Sequence, residues 1–261
     1  MMQTIGDAVL YCADCLPIMQ SMQDESVEMI FADPPFNVGK EYKGDIDDEM
    51  PEGEYHEWLG VRLVHMSRIL KRGRTFWLME SQRHIGWCQT ALTGLGLTFQ
   101  NIIAWAYTNP TPKAHGLAHT WRPILLVSKG DMASFDPKAD SMTHETLYHN
   151  PYRAKTHYPH DLWPDIPKLV GGFLSPPELL RDEDGRFVHL AQMPLRIAQR
   201  AILMATKPGD TVFDPFMGVA TVGLAALLEK RKYIGIDKSN YYYGAAVRRL
   251  ERWLQHVPLP L

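Results

Sequence analysis

Asp33-Pro34-Pro35-Phe36 packs more chemical functionality into four residues than any other stretch of this chain. It follows Met29-Ile30-Phe31-Ala32, an apolar run that reads as a buried strand. Two consecutive prolines can neither donate to a sheet ladder nor continue a helix, so the strand stops there. Asp33 and Pro34 each precede a proline and are biased to extended geometry. The resulting corner offers acceptors only: a carboxylate and the carbonyls of two residues that lack an N–H, beside a flat ring. Such a site suits a planar group carrying –NH2, such as the edge of a nucleobase. A strand's carboxyl end is also where open α/β sheets bind ligands.

A second constellation lies far along the chain. Thr211-Val212-Phe213 reads as a strand running into Asp214-Pro215-Phe216-Met217-Gly218-Val219-Ala220-Thr221 and then a helix. Small residues fall where backbone must come close to a ligand. The following strand ends at Asp237, 23 residues after Asp214. An acid at that spacing is placed to hydrogen-bond a ribose diol. The turn has one glycine rather than the three of a dinucleotide fingerprint, which disfavours pyrophosphate and fits a nucleoside without phosphate.

The elements that must position these groups follow from periodicity. Strands are predicted at 8–11, 29–32, 75–79, 124–127, 211–213 and 233–236, with a β-rich stretch at 97–107. Helices are predicted at 16–22, 55–70 (ended by Gly73), 83–92, 194–206, 220–229 and 241–254. Residues 39–57, acidic and containing Gly and Pro, read as a mobile surface loop. Alternating strands and helices predict an α/β fold with a doubly wound, mostly parallel sheet. Between 109 and 186 prolines, histidines and tyrosines dominate and periodicity fades. That segment reads as a loop-rich recognition insertion in a catalytic domain formed by 1–108 and 187–261.

Composition narrows the class. With 261 residues, 45% of them hydrophobic, the chain can bury an ample core. A net charge of −3 gives no global positive field, so contact with a polyanion must be a local patch. Arg153, Lys155 and Tyr158 interleave basic and aromatic character as a phosphate-and-stacking surface would, and Arg122 is a further candidate. Lys230-Arg231-Lys232 and Arg248-Arg249 read as surface faces. Three cysteines argue against a disulfide framework and for a reducing compartment. Cys12 and Cys15 have no partner pair and the histidines no recurring ligand spacing, so no metal is expected. With neither a signal peptide nor a membrane span evident, a cytoplasmic protein is expected, nucleoid-associated if bacterial or phage-borne.

Both constellations resemble those of S-adenosylmethionine-dependent DNA amino-methyltransferases, in the class whose catalytic motif precedes the cofactor motif. Asp33-Pro34-Pro35-Phe36 resembles the D-P-P-[YF] catalytic motif, and Asp214-Pro215-Phe216-Met217-Gly218 the D-P-F-x-G-S-G-T-T cofactor loop. Ala13-Asp14-Cys15-Leu16 is similar to the G-D-C-L entry, and His189 to Pro194 to H-P-x-Q-K-P. Trp121-Arg122-Pro123 and Asp161-Leu162-Trp163 also have counterparts. The resemblance implies a seven-stranded Rossmann-like sheet in circularly permuted motif order. It implies S-adenosylmethionine as cofactor, double-stranded DNA as partner, and a homodimer as one assembly state. Asp33, Pro34, Pro35 and Phe36 would be catalytic, while Asp14, Cys15, Gln192, Asp214, Phe216, Gly218, Thr221 and Asp237 would hold the cofactor. The implied target is adenine N6, since Asp at the first motif position resembles the adenine enzymes. No cysteine follows a proline, which argues against cytosine-carbon chemistry. Val219, Ala220, Leu190 and Met193 depart from the family pattern. Two other readings stay open: methylation of cytosine N4 or of RNA, and a catalytically weakened DNA-binding protein of the same fold.

Overall fold

A computed structural model of the chain describes residues 1–43, 48–107, 115–140, 142–143, 156–157, 159–169, 178–182, 184–189 and 191–255. Strands β1 (Met2–Ile5) and β2 (Ala8–Cys12) form a hairpin, and α1 (Cys15–Ser21) leads into β3 (Val27–Ala32). Next come α2 (Glu52–Ile69), β4 (Leu70–Met79), α3 (Ile85–Gly94), β5 (Thr98–Ala106) and β6 (Trp121–Ser128). A 3-10 turn (Pro137–Ala139) precedes a small ladder of β7 (Met142–Thr143) and β8 (Thr156–His157), then β9 (Leu162–Trp163). The chain closes with α4 (Leu195–Ala205), β10 (Thr211–Asp214), α5 (Thr221–Leu228), β11 (Lys232–Asp237) and α6 (Asn240–Leu254).

Nine strands make one sheet in the order β1-β2-β11-β10-β3-β4-β6-β5-β9. The block β2 to β4 is parallel throughout, β6 runs antiparallel between β4 and β5, and short strands extend both edges. Side chains alternate between two cores, as a sheet covered on both faces requires. Met29 and Phe31 of β3 pack with α4, α5 and α6, whereas Ile30 and Ala32 pack with α1, α2 and α3. Trp77 and Met79 against Phe76 and Leu78 divide in the same way. This is why the strand runs read as continuously apolar.

At β3 and β10 the chain directions part. From β3 the sheet grows toward β4, and from β10 toward β11. Val212 pairs with Met29 and Phe213 with Ile30, so the carboxyl ends carrying Asp33 and Asp214 are neighbours. A crevice opens at such a reversal point.

Four expectations need correction. Residues 109–186 are not one insertion, because β6 lies inside the sheet and β9 on its edge. Gly73 does not end a helix; it sits within β4 at φ +74°, where the strand is irregular, and helix α2 stops at Ile69. The described part of the 39–57 loop is pinned rather than loose. Asp48, itself buried, accepts from the N–H groups of Asn37 (2.8 Å), Val38 (3.3 Å) and Lys40 (2.8 Å). Arg231 is buried and bonded to Thr206, not part of a surface face.

The segment beyond β6 is tied down by Arg200 of α4. This buried guanidinium bonds Asp165 at 2.9 and 2.5 Å and Asp140 at 2.8 Å, above the Trp163 ring. Removing it takes the guanidinium from the largely buried Asp165 and leaves the buried Asp140 with Arg196 in its place. Arg200→Ala is expected to lower stability by about 3–5 kcal/mol in urea unfolding; a loss under about 1 kcal/mol would show that the cluster is not holding the segment.

Candidate active site

Thirteen of the sixteen residues expected at functional sites line a single cleft at the β3/β10 crevice. They are Asp14, Cys15, Asp33, Pro34, Pro35, Phe36, Arg122, Gln192, Asp214, Phe216, Gly218, Thr221 and Asp237. Arg153, Lys155 and Tyr158 lie outside the described residues.

The Asp33 corner is braced from behind. Tyr55 of α2 places its hydroxyl 2.8 Å from the Pro35 carbonyl and against the buried Glu80 carboxyl. Burial raises Glu80 to about 7, and a protonated Glu80 can donate to Tyr55 while Tyr55 donates to Pro35. Asn37, at φ +54°, exchanges side-chain hydrogen bonds with the Met50 backbone at 2.8 and 2.6 Å and fixes the exit of the corner. Burial also pushes the Asp33 carboxyl up to about 6, opposed by the cations Arg122 and Lys40. Arg122, expected at a DNA phosphate, lies 4.6 Å from the centre of the Phe36 ring, and the Lys40 ammonium lies 5.8 Å from it. Phe36 is thus already covered by cations in the free protein.

The second half of the cleft is built on the turn after β10. Asp214 is buried and accepts from the Phe216 N–H and the Tyr233 hydroxyl, both at 3.1 Å. Burial, then the two neighbouring acids Asp33 and Asp237, raise it to about 8 against those hydrogen bonds. The Tyr233 ring occupies the space a Cβ on Gly223 or Gly235 would need, 2.5 Å from each. Gly218 adopts φ +51° and donates its N–H to Asp237 at 3.0 Å. The other Asp237 oxygen accepts from the Ser239 N–H at 2.8 Å. An ionised carboxylate has about four acceptor sites, so two remain for hydroxyl donors. Burial raises Asp237 to about 6, so it is ionised at neutral pH.

Several expected cofactor contacts have other duties. Asp14 caps α1 through the Leu16 N–H at 2.8 Å, and both of its carboxylate oxygens accept from the Nη2 of Arg62, at 3.0 and 2.9 Å. Gln192 bonds the Glu178 carbonyl and the Leu180 N–H, fastening that loop to the cleft wall. Thr221 accepts from Arg249 at 2.9 Å, and Arg249 also reaches the Val219 carbonyl at 3.0 Å. Arg249 was expected on the surface; it is buried beneath the cofactor loop. Cys15 is buried, and its thiol is pushed up to about 11 by that burial.

Sequence reasoning missed Trp58, Arg62, Tyr42 and Tyr242, and gave no role to His189 although it opens a quoted motif; all five line the cleft. Arg62 stacks 4.2 Å over Trp58, which in turn approaches Phe216. A basic residue four after a tryptophan, inside an otherwise apolar stripe, was the available signal. Burial lowers His189 to about 4 and keeps its ring neutral, with Nδ1 accepting from the Ala191 N–H.

The family described as DNA methylase matches residues 27–248. The chain belongs to the DNA methylase family. The methylase is 30% identical over 250 residues to the DNA adenine methyltransferase YhdJ of Escherichia coli (strain K12), covering 91% of this chain and 81% of the relative. It is 28% identical to the type II methyltransferase M.HinfI of Haemophilus influenzae, across 91% of this chain but 66% of that protein. Among solved structures, the cytosine-N4-specific PvuII DNA methyltransferase superposes with a TM-score of 0.71 at 21% identity, covering 94% of this chain and 87% of that one. At that identity the likeness speaks for the Rossmann-like fold. The methylase acts on amino groups of DNA, and S-adenosylmethionine is its methyl donor. The cleft fits that donor: Asp237 ends β11 with acceptor capacity to spare, Phe216 offers an aromatic face, and the turn lacks the glycines a pyrophosphate needs. No helix among the described residues is long and apolar enough to cross a membrane.

Ala220, where the family pattern has glycine, holds φ 56° and ψ 44°. A left-handed alanine costs roughly 1–2 kcal/mol, partly offset by the greater unfolded-state entropy of glycine. Ala220→Gly is therefore expected to stabilise the methylase by up to about 1 kcal/mol. Thermal unfolding of the two proteins checks this, and a clear loss of stability would contradict it.

Proposed function

We propose that this methylase transfers a methyl group to the N6 amino group of adenine in a specific sequence of double-stranded DNA. The observation that supports this most is the acceptor-only corner, Asp33 to Phe36, at the crevice beside the cofactor loop. An adenine amino nitrogen is a poor nucleophile because its lone pair is delocalised into the ring. Acceptors on both N–H bonds favour a pyramidal nitrogen and stabilise the charge that develops on it. The Asp33 carboxylate and the Pro34 carbonyl fill these roles, and the Tyr55 bond to Pro35 keeps the corner stiff.

The target atom is out of reach within a duplex, so the base is flipped, at a cost of a few kcal/mol. Pairing with Asp33 and stacking on Phe36 offset that cost, with Arg122 and Lys40 moving from the ring toward the incoming nucleotide's phosphates. S-adenosylmethionine supplies an electrophilic sulfonium methyl when bound. Asp237 would take its ribose hydroxyls, Phe216 and Gly218 would line its binding site, and Asp14, Cys15, Gln192, Asp214 and Thr221 would shape the walls. Arg153, Lys155 and Tyr158 contact the DNA backbone, within the part of 109–186 that reads the target sequence. Adenine is preferred to cytosine because Asp, not Ser, heads the catalytic motif and because YhdJ is named as an adenine enzyme.

Tritiated-methyl transfer to DNA followed by nucleoside analysis is expected to give N6-methyl-2′-deoxyadenosine; N4-methyl-2′-deoxycytidine as sole product would overturn the base assignment. Asp33→Ala is expected to abolish transfer while leaving S-adenosylmethionine binding within about twofold in calorimetry, since the residue acts on the base. Retention of most of the rate would refute its role. The pH profile has a definite sign. Only the ionised Asp33 offers the negative charge that stabilises the developing positive nitrogen, and burial favours its protonated form, so kcat/KM should be level above about pH 7 and fall as pH drops through about 6. A rate that rises on acidification contradicts the assignment.

A further inference from the structure

Beside the Tyr55 ring, and outside the residues that line the cleft, three ligand-type side chains converge that methyl transfer does not use. Glu52 and His56 are four residues apart in the first turns of α2, hence on one face. His84 immediately precedes α3. One carboxylate oxygen and two ring nitrogens from these residues all lie within 4.8 Å of one another.

We propose that Glu52, His56 and His84 form a site for a borderline divalent transition metal, of which zinc is the type. His56 Nε2 and His84 Nδ1 face each other at 3.2 Å. Two nitrogens bound at 2.0–2.1 Å to a tetrahedral ion stand roughly 3.3 Å apart, so little rearrangement is needed. Two imidazoles and a carboxylate suit zinc, cobalt or nickel rather than magnesium or calcium, which take oxygen ligands.

The rings are fixed before any ion arrives. His56 lies flat on Trp87, with centroids 4.2 Å apart and planes within 3°. The His84 ring is buried, packs on Tyr55 at 4.8 Å and meets His56 edge-on. Its Nε2 is buried without a hydrogen-bond partner, so the polar reach of that ring is through Nδ1, toward His56. Glu52 is exposed, which leaves an entry path, and Arg83 orients its carboxylate through Oε2 at 2.7 Å. A bound ion would share that carboxylate with Arg83 and take solvent as a fourth ligand. It would clip the start of α2 to the start of α3, against the ring of Tyr55, whose hydroxyl braces Pro35.

The test is calorimetric titration of the untagged full chain with zinc chloride at neutral pH, after removal of adventitious metal with a chelator. One zinc per chain, bound in the micromolar range or tighter, is expected, together with a rise in Tm that magnesium does not give. Glu52→Gln, an exposed change that keeps the fold, and His56→Ala, checked by circular dichroism, should each weaken zinc by about tenfold or more and shrink the Tm rise. Cobalt should give a visible absorption band that both variants lose. Absence of binding, equal binding by wild type and both variants, or an equal response to magnesium would each overturn the proposal.

Discussion

The cleft exists because β3 and β10 lie side by side in parallel. Only two residue pairs define that contact, Met29 with Val212 and Ile30 with Phe213, yet they join segments 183 residues apart. Glu28 reinforces the start of the pairing by accepting the Thr211 N–H at 2.8 Å and pairing with Lys71 of β4. Once the two strands are neighbours, Asp33 and Asp214 must face one crevice, and the sheet's reversal of direction leaves that crevice open. The helices, the pinned loop at Asp48 and the Arg249 brace stabilise an arrangement that this pairing has already set.

Concentrating acids at adjoining strand ends has an electrostatic consequence. Asp33, Asp214 and Asp237 are all pushed upward by burial, but unequally, to about 6, 8 and 6. Asp214, the middle one, also feels both neighbours, so it is pushed further toward its protonated form than the outer two. The outer two fall at opposite ends of the cleft, one beside Arg122 and Lys40 and one beneath the Gly218 and Ser239 N–H groups. A middle acid biased toward its neutral form lets a single small site hold acceptors for two different partners. The same acids suit a cationic methyl donor.

Much of this was legible in the sequence, and the failures have physical reasons. The two motifs were readable because proline, glycine and a strand-terminal acid constrain backbone geometry locally, whatever the tertiary context. Trp58 and Arg62 were hidden because a helical stripe that lines a cleft has the same period as one that lines a core. Arg249 was assigned to a surface on charge alone, though it lies under the cofactor loop. Gly73 misled because helix ends and irregular strands both use glycine at positive φ. Strand β6 was recognised from its apolar run, but its place between β4 and β5 depends on pairing that no local pattern encodes.

The central claim is that one crevice brings an acceptor pair at Asp33 and Pro34 to the amino nitrogen of a flipped base. A crystal structure of the methylase with target duplex DNA and an unreactive S-adenosylmethionine analogue tests it directly. The account predicts the adenine amino group within hydrogen-bond distance of both the Asp33 carboxylate and the Pro34 carbonyl, its ring against Phe36, and the analogue's ribose on Asp237. A base that stays stacked in the duplex, or one flipped into the cleft with its amino group away from Asp33, would contradict it.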